Sequence, residues 1–271
     1  MKKYNPNETK QERKARKAIE RQLKESSLGS VNSHTNSNIK YFVICLKWGN
    51  KYSADYVNKL YSMVSRNISF DFEFVCFTEN STGIDKGIRI EPLPKLPVQG
   101  WWFKPWFFSK DLPIKEGIIL YLDLDLIVFR NIDKFFHYKP ECDFVIIRDF
   151  NRQIRKDWDR MNSSAFRFTA QSLTHIYEEF EKTMQQNVKR FHGDQDFMYK
   201  YIKKHEFWPD EWIQSYKWEM RGRHTLGMVG GKRNFLKPGT PIVLKETSVA
   251  VFHGEPNIHE CIDEWPRANW Y

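Results

Sequence analysis

The sequence has no uninterrupted apolar stretch near the roughly 20 residues that a membrane-spanning helix needs, so no such helix is expected anywhere in its 271 residues. Cysteine is scarce: Cys45, Cys76, Cys142 and Cys261 are widely spaced and form no C-x-x-C pair. That argues against a disulfide scaffold and for a reducing compartment, with Cys45 and Cys76 acting as small core residues inside "YFVICL" and "FEFVCF". The opening residues carry charge but lack the apolar segment of a secretory signal. No internal repeat is present. The expectation from these absences is a cytoplasmic protein.

Positive charge is what the chain does have, with a formal net charge of +9. Its location matters more than its size. Residues 1–40 hold ten Lys and Arg against four Glu, leaving 33 basic and 30 acidic residues for the rest. The folded body is nearly balanced, which argues against a nucleic-acid partner for it. Residues 1–25 read as a basic helical tail whose thin stripe of Ala15, Ile19 and Leu23 suits a solvated helix, or weak contact with an anionic membrane or a protein. Residues 26–38, "SSLGSVNSHTNSN", read as a flexible polar linker.

The body, 39–271, alternates strand and helix patterns. "YFVICLKW" and "FEFVCFTEN" are strands, and Tyr56, Leu60 and Val64 repeat at helical spacing between them. "GIRIEPL" is a short strand, and "IILYLDLDLIVF" is continuously apolar, like a strand covered on both faces. Further on come "DFVIIRDF", "SSAFRF", a long helix around 171–190, a helix after Gly193 and a last strand, "SVAVF". This β-α-β alternation predicts an α/β domain with a mostly parallel central sheet flanked by helices.

Two carboxylates interrupt the most apolar strand. Asp123 and Asp125, two apart, project from one face of a strand near its C-terminal end, where open α/β sheets bind ligands. Burying like charges together is costly, and a hard divalent cation such as Mn²⁺ or Mg²⁺ would offset the cost. Two further D-x-D strings, Asp157/Asp159 and Asp194/Asp196, do not end apolar strands. The plain alternative is a strand-end pair that caps a turn or pairs with Arg130.

The ordered landmarks "LKWGNKY", "FVCFT", "GWWFK", "YLDLD", "NSS", "GDQD", "SYK" and "FHGEP" resemble those of GT-A-type glycosyltransferases, the group that includes glycogenin and the family-eight bacterial sugar transferases. The resemblance covers about residues 39–265. It implies a single GT-A-like, Rossmann-like domain that binds a nucleotide diphosphate-sugar, UDP-linked in most relatives, together with a divalent cation. It further implies that Asp123, Asp125 and His253 hold the metal and that Lys104 contacts the diphosphate. Trp48 and Tyr52 would pack on the nucleotide base, Asn162 and Ser163 would face the sugar, and Asp194 and Gln195 would lie beside its anomeric carbon.

The residues themselves add less. His253 closes an apolar strand and precedes Gly254, which permits close backbone approach by a phosphate. Lys104 precedes Pro105, which predicts a position ahead of a helix rather than inside it; a surface lysine is the alternative. Asn162 and Ser163 equally suit a polar turn before a strand. Gly193 and Asp194 equally suit a helix N-cap, with Asp196 complementing the helix dipole. "SYK" carries no assignable chemistry. One position departs from the resemblance: relatives carry a lysine after the C-terminal His-Gly, where this chain has Asn257, which supplies no charge to a leaving phosphate. His259 and Lys217 are candidates to compensate, and Arg152, Arg155 and Arg160 face either an acidic acceptor or water.

The expected activity is transfer of a sugar, with retention of configuration, to a hydroxyl of a glycan, lipid-linked saccharide or protein. Two rivals remain: a non-catalytic nucleotide- or glycan-binding homologue, which Asn257 favours, and a haloacid-dehalogenase-type phosphatase with Asp123 as nucleophile.

Overall fold

A computed structural model describes residues 39–271; the basic tail and the linker expected before them lie outside the described residues. The described strands are β1 (Tyr41–Lys47), β2 (Glu73–Thr78), β3 (Arg89–Glu91), β4 (Ile118–Leu122), β5 (Leu126–Val128), β6 (Phe144–Arg148), β7 (Met161–Thr169), β8 (Glu206–Phe207), β9 (Ile213–Ser215), β10 (Leu226–Val229), β11 (Lys232–Phe235) and β12 (Val249–Val251).

A seven-stranded sheet has the order β3-β2-β1-β4-β7-β6-β8. Its β2–β3, β1–β2, β1–β4 and β6–β8 pairings are parallel, and β7 runs antiparallel to both β4 and β6. The mostly parallel α/β sheet expected from the sequence is therefore present. Strand β1 shows why it sits centrally. Val43 and Cys45 enter the core on one face, while Phe42, Ile44 and Leu46 enter the core on the other. Period-two alternation of apolar residues on both faces demands cover on both. The helix Ala54–Asn67 gives part of it, burying Tyr56, Val57, Leu60, Met63 and Val64.

The run "IILYLDLDLIVF" is not one strand, contrary to the sequence reading. β4 ends at Leu122 and β5 begins at Leu126, and the two belong to different sheets. β5 pairs antiparallel with β12, which pairs parallel with β9 in a three-stranded sheet. The chain hands over between sheets at the two aspartates. The Asp123 amide still donates to Ser164 O at 2.8 Å, extending the β4–β7 ladder, and Asp125 O accepts from the Phe252 amide at 2.7 Å, extending β5–β12. The run stays apolar because each half is buried in its own sheet.

Two more expectations are corrected. The helix around 171–190 is two helices, Thr174–Lys182 and Met184–Arg190, broken where Thr183 leaves the α region at φ −139°. Lys104 lies inside a helix rather than ahead of one, a 3₁₀ helix over Gly100–Phe108 that also contains Pro105. Proline's fixed φ falls within the 3₁₀ range, so it is compatible with this tighter helix. All four cysteines are free, and Cys45 and Cys76 are register partners on β1 and β2.

Candidate active site

One cavity of about 480 Å³ lies at the C-terminal ends of β1 and β4. It is lined by all eleven candidate residues: Trp48, Tyr52, Lys104, Asp123, Asp125, Asn162, Ser163, Asp194, Gln195, His253 and Gly254. They come from β7, from the loops that follow β1, β4 and β12, from the 3₁₀ helix and from a helix N-terminus, so sheet topology brings them together. No helix among the described residues is long and apolar enough to cross a membrane.

Lys104 is the electrostatic hub. Its Nζ lies 2.9 Å from Asp123 Oδ1 and 3.8 Å from Asp194 Oδ2, and donates to Ser163 O at 3.0 Å and Ser163 Oγ at 3.2 Å. At 4% exposed it is no surface lysine. Burial pulls its pKa down, but Asp123 and Asp194 outweigh that pull and leave the ammonium above the ordinary lysine value. The side chain stays charged because it is paired on two sides.

Asn162 and Ser163 sit inside β7 rather than in a turn before it. The β6–β7 register shifts between Ile146 and Ile147, so residues 163–165 pass an irregularity in the ladder. Such bulges re-aim side chains next to sites. Here Asn162 Oδ1 accepts from the Ser164 amide at 3.0 Å, and Ser163 turns its hydroxyl to Lys104.

Asp194 opens the helix Asp194–Tyr201, whose N-cap is Gly193. Its carboxylate accepts from the Gln195 backbone amide at the helix start. It is 4% exposed, and its Oδ2 has no hydrogen-bond partner. Burial raises its pKa, against the lowering effect of Lys104 and a Ser163 hydrogen bond. The Oδ2 oxygen is held by charge alone, with Lys104 Nζ 3.8 Å away, an arrangement that offsets only part of the cost of burying it.

Asp123 accepts from Tyr121 Oη at 2.6 Å as well as from Lys104. Asp125 accepts from Tyr52 Oη at 3.1 Å. Burial and the neighbouring Asp123 push the Asp125 carboxyl up to about 6. Arg130 offers no relief, since it donates to the carbonyls of Leu244, Lys245 and Thr247.

His253 follows β12, stacked on Phe150 with ring centroids 5.1 Å apart and edge-on to Trp218 at 4.6 Å. Its Nε2 lies 2.7 Å from Ser215 Oγ. Burial, with Lys217 next in size, holds its pKa down at about 3, so the ring is neutral. Gly254 has φ +69°, and a Cβ there would meet nothing within 4 Å. Conformation, not crowding, selects glycine at this cavity wall.

Two oxyanions pressing on each other and a neutral imidazole are the donor chemistry of a hard divalent cation. The expected metal trio is nonetheless not assembled: among the described residues no group of three His, Cys, Asp or Glu side chains is arranged to hold a metal ion. In this structure Tyr121 bonds Asp123 Oδ1, Lys104 contacts both Asp123 oxygens and Ser215 bonds Nε2 of His253.

Sequence reasoning left "SYK" without a role, and the fold supplies one. Ser215 bonds His253, Tyr216 Oη donates to buried Asp263 at 2.8 Å, and Lys217 Nζ donates to Phe252 O at 3.3 Å and Pro256 O at 3.1 Å. The motif buttresses the "FHGEP" segment from behind. Nothing in its spacing signals this, because its partners lie near the chain's far end. Asn257 is occupied in bonding Glu260 Oε2 at 2.9 Å. Arg152 is buried against Glu219 and Asp210, which removes it as an acceptor contact, whereas Arg155 and Arg160 are exposed.

No protein-family model matches the chain, and no curated protein matches it in sequence. Solved structures do match in fold. The galactosyltransferase LgtC, in complex with donor and acceptor sugar analogues, aligns at 12% identity and TM-score 0.53 over 80% of this chain and 88% of its own. An LgtC active-site glutamine-to-glutamate variant aligns at 10% identity and TM-score 0.56 over 84% and 93%. The bifunctional glycosyltransferase WbbM aligns at 10% identity and TM-score 0.54 over 83% of this chain and 48% of its own. The chain also matches Streptococcus pneumoniae GlyE at 14% identity and TM-score 0.48, over 64% of this chain and 47% of that one. It thus spans most of LgtC but about half the length of WbbM and GlyE. A mostly parallel sheet with antiparallel β7, and a D-x-D at the hand-over to a second small sheet, give this chain the GT-A fold of glycosyltransferases.

Proposed function

We propose that the protein is a metal-dependent glycosyltransferase that moves a sugar from a nucleoside diphosphate, with UDP the first candidate, to a hydroxyl of a saccharide acceptor. One observation carries the reading: eleven residues chosen from scattered motifs line a single cavity in which carboxylates, a charged lysine and a neutral histidine converge. Asp123 and Asp125 would hold a divalent cation with His253 as third ligand, the cation taking the place of the Tyr121 contact to Asp123 and the Ser215 contact to His253. The cation's contribution is to neutralise charge on the departing diphosphate.

The chain's own residues do the rest. Lys104, already carrying its proton between two carboxylates, presents a preorganised positive charge to the leaving group. Trp48 and Tyr52 offer aromatic faces to the base. Asp194 and Gln195 orient the sugar by its hydroxyls; LgtC has a glutamine in its active site. The bond from anomeric carbon to phosphate oxygen breaks, its electron pair leaving on the diphosphate. The acceptor oxygen bonds to the same carbon, and its proton passes to the departing diphosphate. Retention of configuration is the stereochemical outcome proposed.

A second reading has one observation behind it. Asn257 stands where relatives carry a lysine, and its amide is engaged by Glu260, which favours a nucleotide-sugar binder without turnover. The solved structures that match in fold are glycosyltransferases, which weighs against the phosphatase reading.

The test is thermal unfolding with a panel of nucleoside diphosphates, with and without Mn²⁺, on wild type and Asp125→Asn. Ligand at 100 times its dissociation constant stabilises by about 2.7 kcal/mol. The expected result is a shift for one nucleotide that needs both metal and Asp125. No shift for any nucleotide in folded protein sinks the proposal. Metal-dependent release of free sugar from the matching donor then separates the enzyme from the silent binder.

A further inference from the structure

A second cavity, about 620 Å³, adjoins the first. His192, Gln195 and Asp196 line both, so the two share a wall at the start of the helix Asp194–Tyr201. The wall belongs to the residues proposed to lie beside the anomeric carbon. Whatever fills the second cavity is therefore within reach of the sugar being transferred.

Its lining differs sharply from the first. Arg160, Arg190, Lys200 and Lys203 face it, and all four are exposed. None forms an ion pair with another described residue. Elsewhere on this body cations pair readily, as Arg89 does with Glu73 and Glu91, and Arg148 with Asp210. Two acidic residues also line the cavity. Asp149 is turned inward, its Oδ1 accepting from the Asn151 amide at 3.0 Å and from Trp158 Nε1 at 2.9 Å. Asp196 lies on the shared wall.

The cations are not all loose. The Arg160 guanidinium lies over the Tyr199 ring at 4.4 Å, and Trp158 is fixed by its bond to Asp149 with Arg155 over its ring at 5.2 Å. An arginine held over an aromatic ring can still donate hydrogen bonds from its guanidinium N–H groups. Aromatic plates beside such donors are what a pyranose ring with an acidic substituent requires, the plate for its C–H face and the guanidinium for its anion.

We infer that the second cavity is the acceptor subsite and that it selects a saccharide bearing a carboxylate or phosphate, read by Arg160, Arg190, Lys200 and Lys203 against Trp158 and Tyr199. This rests on the transferase reading for the name "acceptor", and the binding preference stands apart from it. A neutral saccharide would leave the four cations without an ion-pair partner among the described residues. An anionic one gains charge-assisted hydrogen bonds and faster, steered association.

The experiment titrates the full chain by ligand-observed NMR with methyl glucoside, methyl glucuronide, glucose and glucose 6-phosphate, at low and moderate salt. The variant is Arg160→Gln/Lys203→Gln, two exposed positions whose loss leaves the core untouched. The expected result is about tenfold tighter binding of one acidic sugar than its neutral parent, weakened by salt and lost in the variant. Preference for the glucuronide assigns a carboxylate, and preference for the 6-phosphate a phosphate. Equal binding of acidic and neutral sugars, no binding of any, or a preference unchanged in the variant overturns the inference. UDP with Mn²⁺ is run in parallel on both proteins. A nucleotide shift kept in both proteins without acidic preference fails this inference alone. Acidic preference without any nucleotide shift fails the transferase reading and leaves an anionic-saccharide site.

Discussion

Replacing Lys104 by Met should cost about 3–5 kcal/mol at pH 7, the loss expected when one member of a buried ionic cluster is removed. Lys104 Nζ is 2.9 Å from Asp123 and 3.8 Å from Asp194, with both ends of the Asp194 pair about 5% exposed. At an effective dielectric near 20, a 3.8 Å pair is worth about 4 kcal/mol of gross attraction. Methionine fills the volume but leaves both carboxylates without their cation. Burial already raises the Asp194 carboxyl against the pull of Lys104, so without that cation the folded state binds the Asp194 proton more tightly than the unfolded chain does. The deficit should therefore shrink as pH falls from 7 toward 5. Adding Asp194→Asn removes one of the stranded charges and should recover about 1–3 kcal/mol, a coupling typical of contacting residues. Urea unfolding of wild type, both single variants and the double variant reads all of this. A single-variant loss under about 1 kcal/mol, or strictly additive effects, would refute the claim that Lys104 stabilises this carboxylate pair.

Other expectations follow from the same reasoning. Burial, only partly opposed by Asp125, holds Lys217 at about 7 against an ordinary 10.5, so the unfolded chain binds its proton more tightly between those values. Stability should rise with pH there, by about 2 kcal/mol from pH 7 to 9 relative to Lys217→Met; a pH-independent difference in urea midpoints would contradict it. Gly117 has φ +109°, and a Cβ would lie 2.3 Å from Lys40 O, so Gly117→Ala should cost more than about 3 kcal/mol. Gly254→Ala, strained but unobstructed, should cost about 1 kcal/mol, and comparable losses in chemical unfolding would refute the distinction. Arg167, 1% exposed, donates to Phe136 O at 3.0 Å and Tyr138 O at 2.8 Å. Arg167→Met should lose about 3–5 kcal/mol by stranding those carbonyls, while exposed Arg155→Gln should stay within about 0.5 kcal/mol; calorimetry decides.

Local pattern determined a good deal. Period-two burial of β1, the helical spacing of Tyr56, Leu60 and Val64, and the free buried cysteines all follow from residue order, because alternation and burial are properties of a short segment. The positions of the D-x-D, "NSS", "GDQD" and "FHG" were legible as well. What the sequence did not carry is how those segments meet. An unbroken apolar run conceals a change of sheet, since burial in either sheet demands the same residues; only the pairing of β5 with β12 reveals the break at Leu124. Lys104 read locally as a residue ahead of a helix, and its burial between Asp123 and Asp194 depends on the 3₁₀ helix packing beside β4 and β7. "SYK" acquires a purpose only where β9 lies against β12. The second cavity and its cluster of cations exist because the loop before β7 and two helices close around the same space. Such long-range pairings are decided by the summed burial of whole elements, which no single stretch of sequence records.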